Sequence, residues 1–274
     1  MADWDKITGG GDVEDRRAAG PIALGGTGIV GVAIVLLLNF LGGGTPDLNA
    51  VLNQLQSTTV QQQNVDSSEF AGADDYEVFA SKVLGSNNQV WRGVFEQSGE
   101  TYTDPKLVLF RGSTQSACGG ATADVGPHYC PADQTIYIDE TFFDELKRFG
   151  AEGGDVAEAY VIAHEVGHHV QNQLGTMEQI ESRGDNQASI NLELQADCYA
   201  GIWANSVSKA GVLAPGEINE AIDAAEAVGD DRIQETVQGR VTPETWTHGS
   251  SAQRVGWFNE GFESGNPRSC NTFQ

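Results

Sequence analysis

The stretch AEAYVIAHEVGHHVQNQLG, residues 157–175, sets histidines and a glutamate inside an apolar helical pattern. His164 and His168 are four residues apart. On a helix that spacing stacks both side chains on one face, so their imidazoles can converge on one metal ion. Glu165 follows the first histidine and stands beside such an ion without binding it, placed to take a proton from an activated water. His169 lies about 100° around the helix from His168 and is left out of the set. It reads as a structural group, pairing with Glu165 one turn earlier.

The HExxH spacing calls for a third protein ligand and an open fourth position, the pattern of a catalytic zinc site with one Zn²⁺ per chain. Gln171 and Leu174 exclude a third histidine further along the same helix. A second helical stretch, 188–211, carries Glu193 and Asp197, again four apart, among Leu192, Leu194, Ala196 and Ala200. Two carboxylates on so apolar a face are costly to bury without a cation. Glu193 is therefore the expected third ligand and Asp197 the expected hydrogen-bond partner of a ligand histidine; the swapped assignment stays open. His248, beside Gly249 in a loop, is the candidate donor to a developing oxyanion. His128, Tyr160 and Tyr199 are expected to be structural.

These residues need helices to hold them. The helix carrying the histidines is expected from Val156 to Leu174, with Asp155 as N-cap, Glu158 as capping-box partner and Gly175 as its stop. Ser189 and Gly211 are the expected ends of the second, and a third begins at Ser250 or Ser251. Gly167 costs about 1 kcal/mol against Ala within a helix, which suits close approach of another backbone. Upstream, DDYEVFASKVLG predicts a helix ending at Gly85, and KLVLFRG (106–112) and TIYIDE (135–140) read as strands. The strand at Thr135–Asp139 is the expected edge for an extended peptide. The fold class is α+β, mostly helical with a small sheet.

Residues Pro21–Leu41 are 21 residues without a charge, about 30 Å as a helix and long enough to span a bilayer. Arg16 and Arg17 precede them, which orients the N-terminus to the cytoplasm. The expected organisation is a tail over 1–20, a transmembrane signal anchor over 21–41, a polar linker over 42–70 and an extracytoplasmic domain over 71–274. There the cysteines 118, 130, 198 and 270 can be oxidised. Four cysteines allow three pairings. Cys118–Cys130 would close a Gly-rich loop and Cys198–Cys270 would tie the C-terminus to the metal site, with a free thiol at Cys198 as the alternative. The net charge of −24 excludes nucleic acid as a partner, since a phosphate backbone would be repelled.

HEVGHHVQNQLG, LELQADCYAGIWA, GPHYCPADQTIYID and THGSSAQRVGWF, with VEDRR at Val13–Arg17, resemble the bacterial "putative neutral zinc metallopeptidases" over nearly the whole chain except the linker. The resemblance implies a membrane-anchored, zincin-like metallopeptidase domain with a Glu third ligand, carried over to Glu193, and a peptide or protein substrate. The same residues leave two alternatives: a zinc-containing scaffold without turnover, and an amidase acting on a non-peptide cell-wall bond.

Overall fold

The computed structural model describes residues 1–19, 74–181 and 186–273. The fold is α+β around one four-stranded sheet of order β1-β2-β6-β5. Strand β1 is Asp12–Asp15, β2 Lys106–Phe110, β5 His128–Cys130 and β6 Thr135–Asp139. β1, β2 and β6 run parallel and β5 runs antiparallel to β6. Val13 sits opposite Leu107, and Leu107 opposite Ile136. β2 and β6 are buried along nearly their whole length, as β-branched and apolar runs in a parallel sheet should be. A separate hairpin, β3 (Ser113–Ser116) and β4 (Gly119–Thr122), fills the Gly-rich stretch between them.

Helices make up the rest: α1 (Asp75–Gln97), α2 (Phe142–Arg148), α3 (Asp155–Gln173), α4 (Thr176–Glu181), α5 (Asn186–Lys209), α6 (Ile218–Ala227), α7 (Asp230–Gln238) and α8 (Ser251–Ser264). α3 is the hub, buried along most of its length and packed against α1, α5, α6 and the sheet. Trp91, Tyr160, Trp203 and Phe258 are among the largest fully buried side chains of the core.

Three expectations are corrected. The first concerns the N-terminus. Residues 1–19 are part of the domain: β1 is a strand of its sheet, and Trp4 packs edge-on to Phe79 and parallel to Trp203. Arg17, 1% exposed, pairs with Asp15, Asp74 and Glu140. A single membrane crossing between β1 and β2 would set two strands of one sheet in different compartments. The fold as expected, with a transmembrane helix ahead of the domain, is overturned: no helix among the described residues is long and apolar enough to cross a membrane. The proposed anchor at 21–41 and linker at 42–70 lie outside the described residues.

The second correction concerns Gly85, which is internal to α1 rather than its end. A Cβ there would meet the Gly10 carbonyl carbon at 2.7 Å, so the glycine makes room for the N-terminal segment. The third concerns β6, which is interior, paired on both sides. The edge strand beside the helices is β5.

Candidate metal centre

Gly154, whose φ of 119° suits glycine, occupies the N-cap position of α3, and Asp155 is its first helical residue rather than its cap. The Asp155 carboxylate instead accepts from Trp4 Nε1 at 2.7 Å and the Ala2 amide at 3.0 Å. Gly175, φ 72°, follows the C-terminus as expected. α5 runs antiparallel to α3: His164 lies beside Asp197, His168 beside Glu193, and Gln171 beside Leu192. The contact is close because Gly167 has no side chain. A Cβ there would stand 3.0 Å from both the Cα and the carbonyl oxygen of Ala196.

This packing brings the three expected ligands together. One donor atom from each of His164, His168 and Glu193 lies within 4.8 Å of the others. His164 Nε2 is 3.2 Å from Glu193 Oε2, and His168 Nε2 is 3.4 Å from Glu193 Oε1. Both imidazoles are locked from behind. Asp197 accepts from His164 Nδ1 at 2.8 Å, and Gln171 Oε1 from His168 Nδ1 at 2.9 Å. Those acceptors hold the protons on Nδ1 and turn both Nε2 lone pairs inward. Two imidazoles and one carboxylate, aimed at one point with the outer nitrogens anchored, are the donor set of a catalytic zinc site.

The electrostatics agree. Burial opposes charge on His164, but the carboxylates of Asp197 and Glu193 outweigh it and push its pKa up to about 10. Burial opposes the charged form of Glu193 too, and the adjacent histidines hold it well below the usual carboxylate range. The pocket therefore favours a cation between these groups. Glu165 is 6% exposed, and its Oε2 is buried with no hydrogen-bond partner among the described residues. A buried, uncommitted carboxylate is costly in a folded chain. Here it faces the same cavity as the ligands, about 680 Å³ in volume.

His248 also lines this cavity. Asp230 pins its loop: Oδ2 accepts the amides of Thr247, His248 and Gly249 at 2.7–3.0 Å, and Oδ1 sits 3.2 Å from His248 Nδ1. Burial lowers the His248 pKa, but the Asp230 hydrogen bond and the Glu193 charge raise it above the ordinary value. Ser189 is inside α5, not its cap, and its hydroxyl donates to Thr247 O at 3.0 Å, tethering the same loop.

His169 faces away from the centre, with Tyr129 OH at 3.0 Å and Thr103 O at 2.6 Å, and does not pair with Glu165. His128 lines the cavity rim and stacks on Tyr137. Both disulfides considered from sequence are present, Cys118–Cys130 and Cys198–Cys270. The second fastens the C-terminal segment to α5 beside Asp197.

Sequence reasoning missed Arg254. It is 4% exposed, and its Nε donates to Asp197 Oδ2 at 2.8 Å while Tyr160 OH donates to Asp197 Oδ1 at 2.6 Å. Ser250 caps α8 with a full capping box, which sets Arg254 one turn in, on the face that α8 presents to α5. The signal lay in SSAQRVGWF: a lone charge on the face shared with Phe258, four residues on. Gln171 and Asp230 were likewise not singled out for their positioning roles.

A family model described as "Putative neutral zinc metallopeptidase" matches residues 2–273. The chain is 42% identical over 288 aligned positions to the Escherichia coli K12 protein YpfJ, covering 98% of each chain. It is 45% identical over 215 positions to Mycobacterium tuberculosis Rv2575, covering 74% of this chain and 73% of that one. Both relatives carry the description "uncharacterized protein". No solved structure matches. The match over nearly the whole length shows that the chain belongs to the "putative neutral zinc metallopeptidase" family.

Proposed function

We propose that the protein is a zinc-dependent peptidase, with His164, His168 and Glu193 holding the ion and Glu165 serving as general base. The observation that carries this reading is the joint geometry: three ligand atoms within 4.8 Å of one another, and the uncommitted Glu165 carboxylate in the same cavity. When bound, zinc supplies Lewis-acid polarisation of a peptide carbonyl and makes a water acidic enough to deprotonate near neutral pH.

The chain's own residues do the rest. Glu165 takes the proton of the attacking water and hands it to the departing amine. His248, held through Nδ1 by Asp230, offers its other ring nitrogen to the oxyanion that develops on the carbonyl. Asp197 and Gln171 keep the ligand imidazoles in register. A zinc-keeping scaffold would have no use for a buried free carboxylate next to its ligands, which weighs against that alternative.

The two disulfides support placing the domain in an oxidising compartment; thiol trapping of the protein from cells checks this, and free Cys198 would count against it. The central test compares the full chain with Glu165→Gln. Both should bind one zinc per chain, and hydrolysis of a broad peptide library should fall by about 10²–10⁴-fold in the variant. Equal cleavage by the two would remove Glu165 as base.

A further inference from the structure

The cavity does not end at the ligand cluster. Tyr160 and Val161 lie on α3 one turn before His164, and Val228 joins them there, because Arg254 bonds both the Val228 carbonyl and Tyr160 OH. Beyond the other end of α3, Met177 and Ile180 of α4 line the cavity with Leu192 of α5, which runs antiparallel, and Ile180 packs with Leu192. The catalytic groups thus sit midway along a cleft that follows the α3 axis, with an apolar wall at each end. Met177 and Val228 are only partly buried, so this chain leaves apolar surface at both ends for a ligand to cover.

The distribution of charge is equally informative. Apart from histidines, the acids and bases lining the cleft among the described residues are Glu165, Glu193 and Arg254. The first two belong to the centre, and Arg254 is committed to Asp197. Among the described residues, neither end offers a free Lys or Arg for a C-terminal carboxylate or a free Asp or Glu for an α-amino group. A site that trims terminal residues needs such a group, since a charged terminus brought into an apolar pocket without a partner pays heavily in lost hydration.

Resting on the peptidase reading above, we propose that the substrates are extended peptide segments cut at internal bonds, with an apolar side chain on each side of the scissile bond. One side chain lies against Val161 and Val228, the other against Met177, Ile180 and Leu192. The chain's net charge of −24 adds long-range discrimination against acidic segments.

The test profiles the zinc-loaded full chain on a mixed peptide library with free and with blocked termini, sequencing the products by mass spectrometry, with Glu165→Gln run in parallel. The expected result is Glu165-dependent cleavage that tolerates blocked termini and favours Leu, Ile, Met or Phe over Ala or Gly by about 10-fold or more on both sides. Met177→Lys, on the short α4, should shift the preference on one side toward Asp or Glu and leave the other side apolar. Val228→Lys should do the same for the opposite side. Glu165-dependent cleavage that is indifferent to side chains, prefers charged ones, or needs a free terminus overturns this proposal while leaving the peptidase reading intact. Absence of any Glu165-dependent cleavage overturns both.

Discussion

At the scale of single residues, the buried quartet Tyr160–Asp197–Arg254–His164 anchors the imidazole that faces the candidate metal centre. Asp197 is fully buried and shares its two oxygens among three donors. The Asp197→Asn variant keeps an oxygen for His164 Nδ1 but loses the charge that makes the imidazole a strong donor. Its zinc affinity should fall by about 10–100-fold, measured by competition with a chromogenic chelator. Arg254→Met strands the Asp197 carboxylate without its cation, and should cost about 3–5 kcal/mol of stability, read by denaturant unfolding. Unchanged zinc affinity in the first variant would reduce Asp197 to a packing role. The meeting of His164, His168 and Glu193, and the contact of Asp197 with His164, were legible from sequence because helical spacing puts each pair on one face. Arg254, Asp230 and Gln171 were not. Arg254 and Asp230 reach the site from other helices whose packing no local pattern encodes, and an amide such as Gln171 carries no charge to make its burial conspicuous.

At the scale of elements, the centre depends on how closely helices approach. α5 and α8 cross where Gly201 faces Gly261. A Cβ on Gly201 would stand 2.1 Å from Phe258 O, and one on Gly261 1.9 Å from Cys198 O. Backbone cannot yield as a flexible side chain would, so Gly261→Ala must push α8 away and drag Arg254 off Asp197. A loss of about 1–3 kcal/mol, with weakened zinc binding, is expected, and retention of both would show that the helices can slide apart freely. The start of α3 supplies a pH dependence. Burial pushes Glu158 up to about 7, against a partial offset by Lys147. A carboxyl whose folded pKa exceeds its unfolded one binds more protons when folded, so its contribution to stability declines as pH rises from about 4.5 to 7. Glu158→Gln should therefore raise the melting temperature at pH 8 by about 2–4 °C and leave it nearly unchanged at pH 4.5. Sequence patterning found α3, α5, β2 and β6, whose apolar periodicity is strong. It misplaced the starts of α3 and α5 and the end of α1, because Asp155, Ser189 and Gly85 are typical boundary residues used here for long-range contacts.

At the scale of the whole molecule, the N-terminal segment is the largest departure from what local composition suggests. Polar and Gly-rich, residues 1–19 resemble a free tail, yet their glycines are what allow close docking. A Cβ on Gly11 would overlap Leu84, and one on Gly10 would meet Ser81 Oγ at 2.5 Å. Gly11 N donates to Ser81 O at 2.7 Å. Three groups of contacts then bind the segment to the site's scaffold. Ala2 and Trp4 hold Asp155 at the first turn of α3; β1 covers one edge of β2; and Arg17 gathers Asp15, Asp74 and Glu140. Removing the segment would leave β2 as a buried strand with an open edge and Asp74 without Arg17, while Glu140 would keep Arg111. The polypeptide 74–274 alone is accordingly expected to aggregate or to melt well below the full chain, and Arg17→Ala within the full chain to cost about 3–5 kcal/mol. Because the contacts are noncovalent, a synthetic peptide of residues 1–19 should bind 74–274, raise its melting temperature in a concentration-dependent way and restore zinc binding. A peptide carrying Trp4→Ala and Arg17→Ala should do neither. If 74–274 proved as stable and as zinc-competent as the intact chain, the N-terminal strand would be an ornament on the domain, and the positioning of α3 would have to be ascribed to α1, α5 and α6 alone.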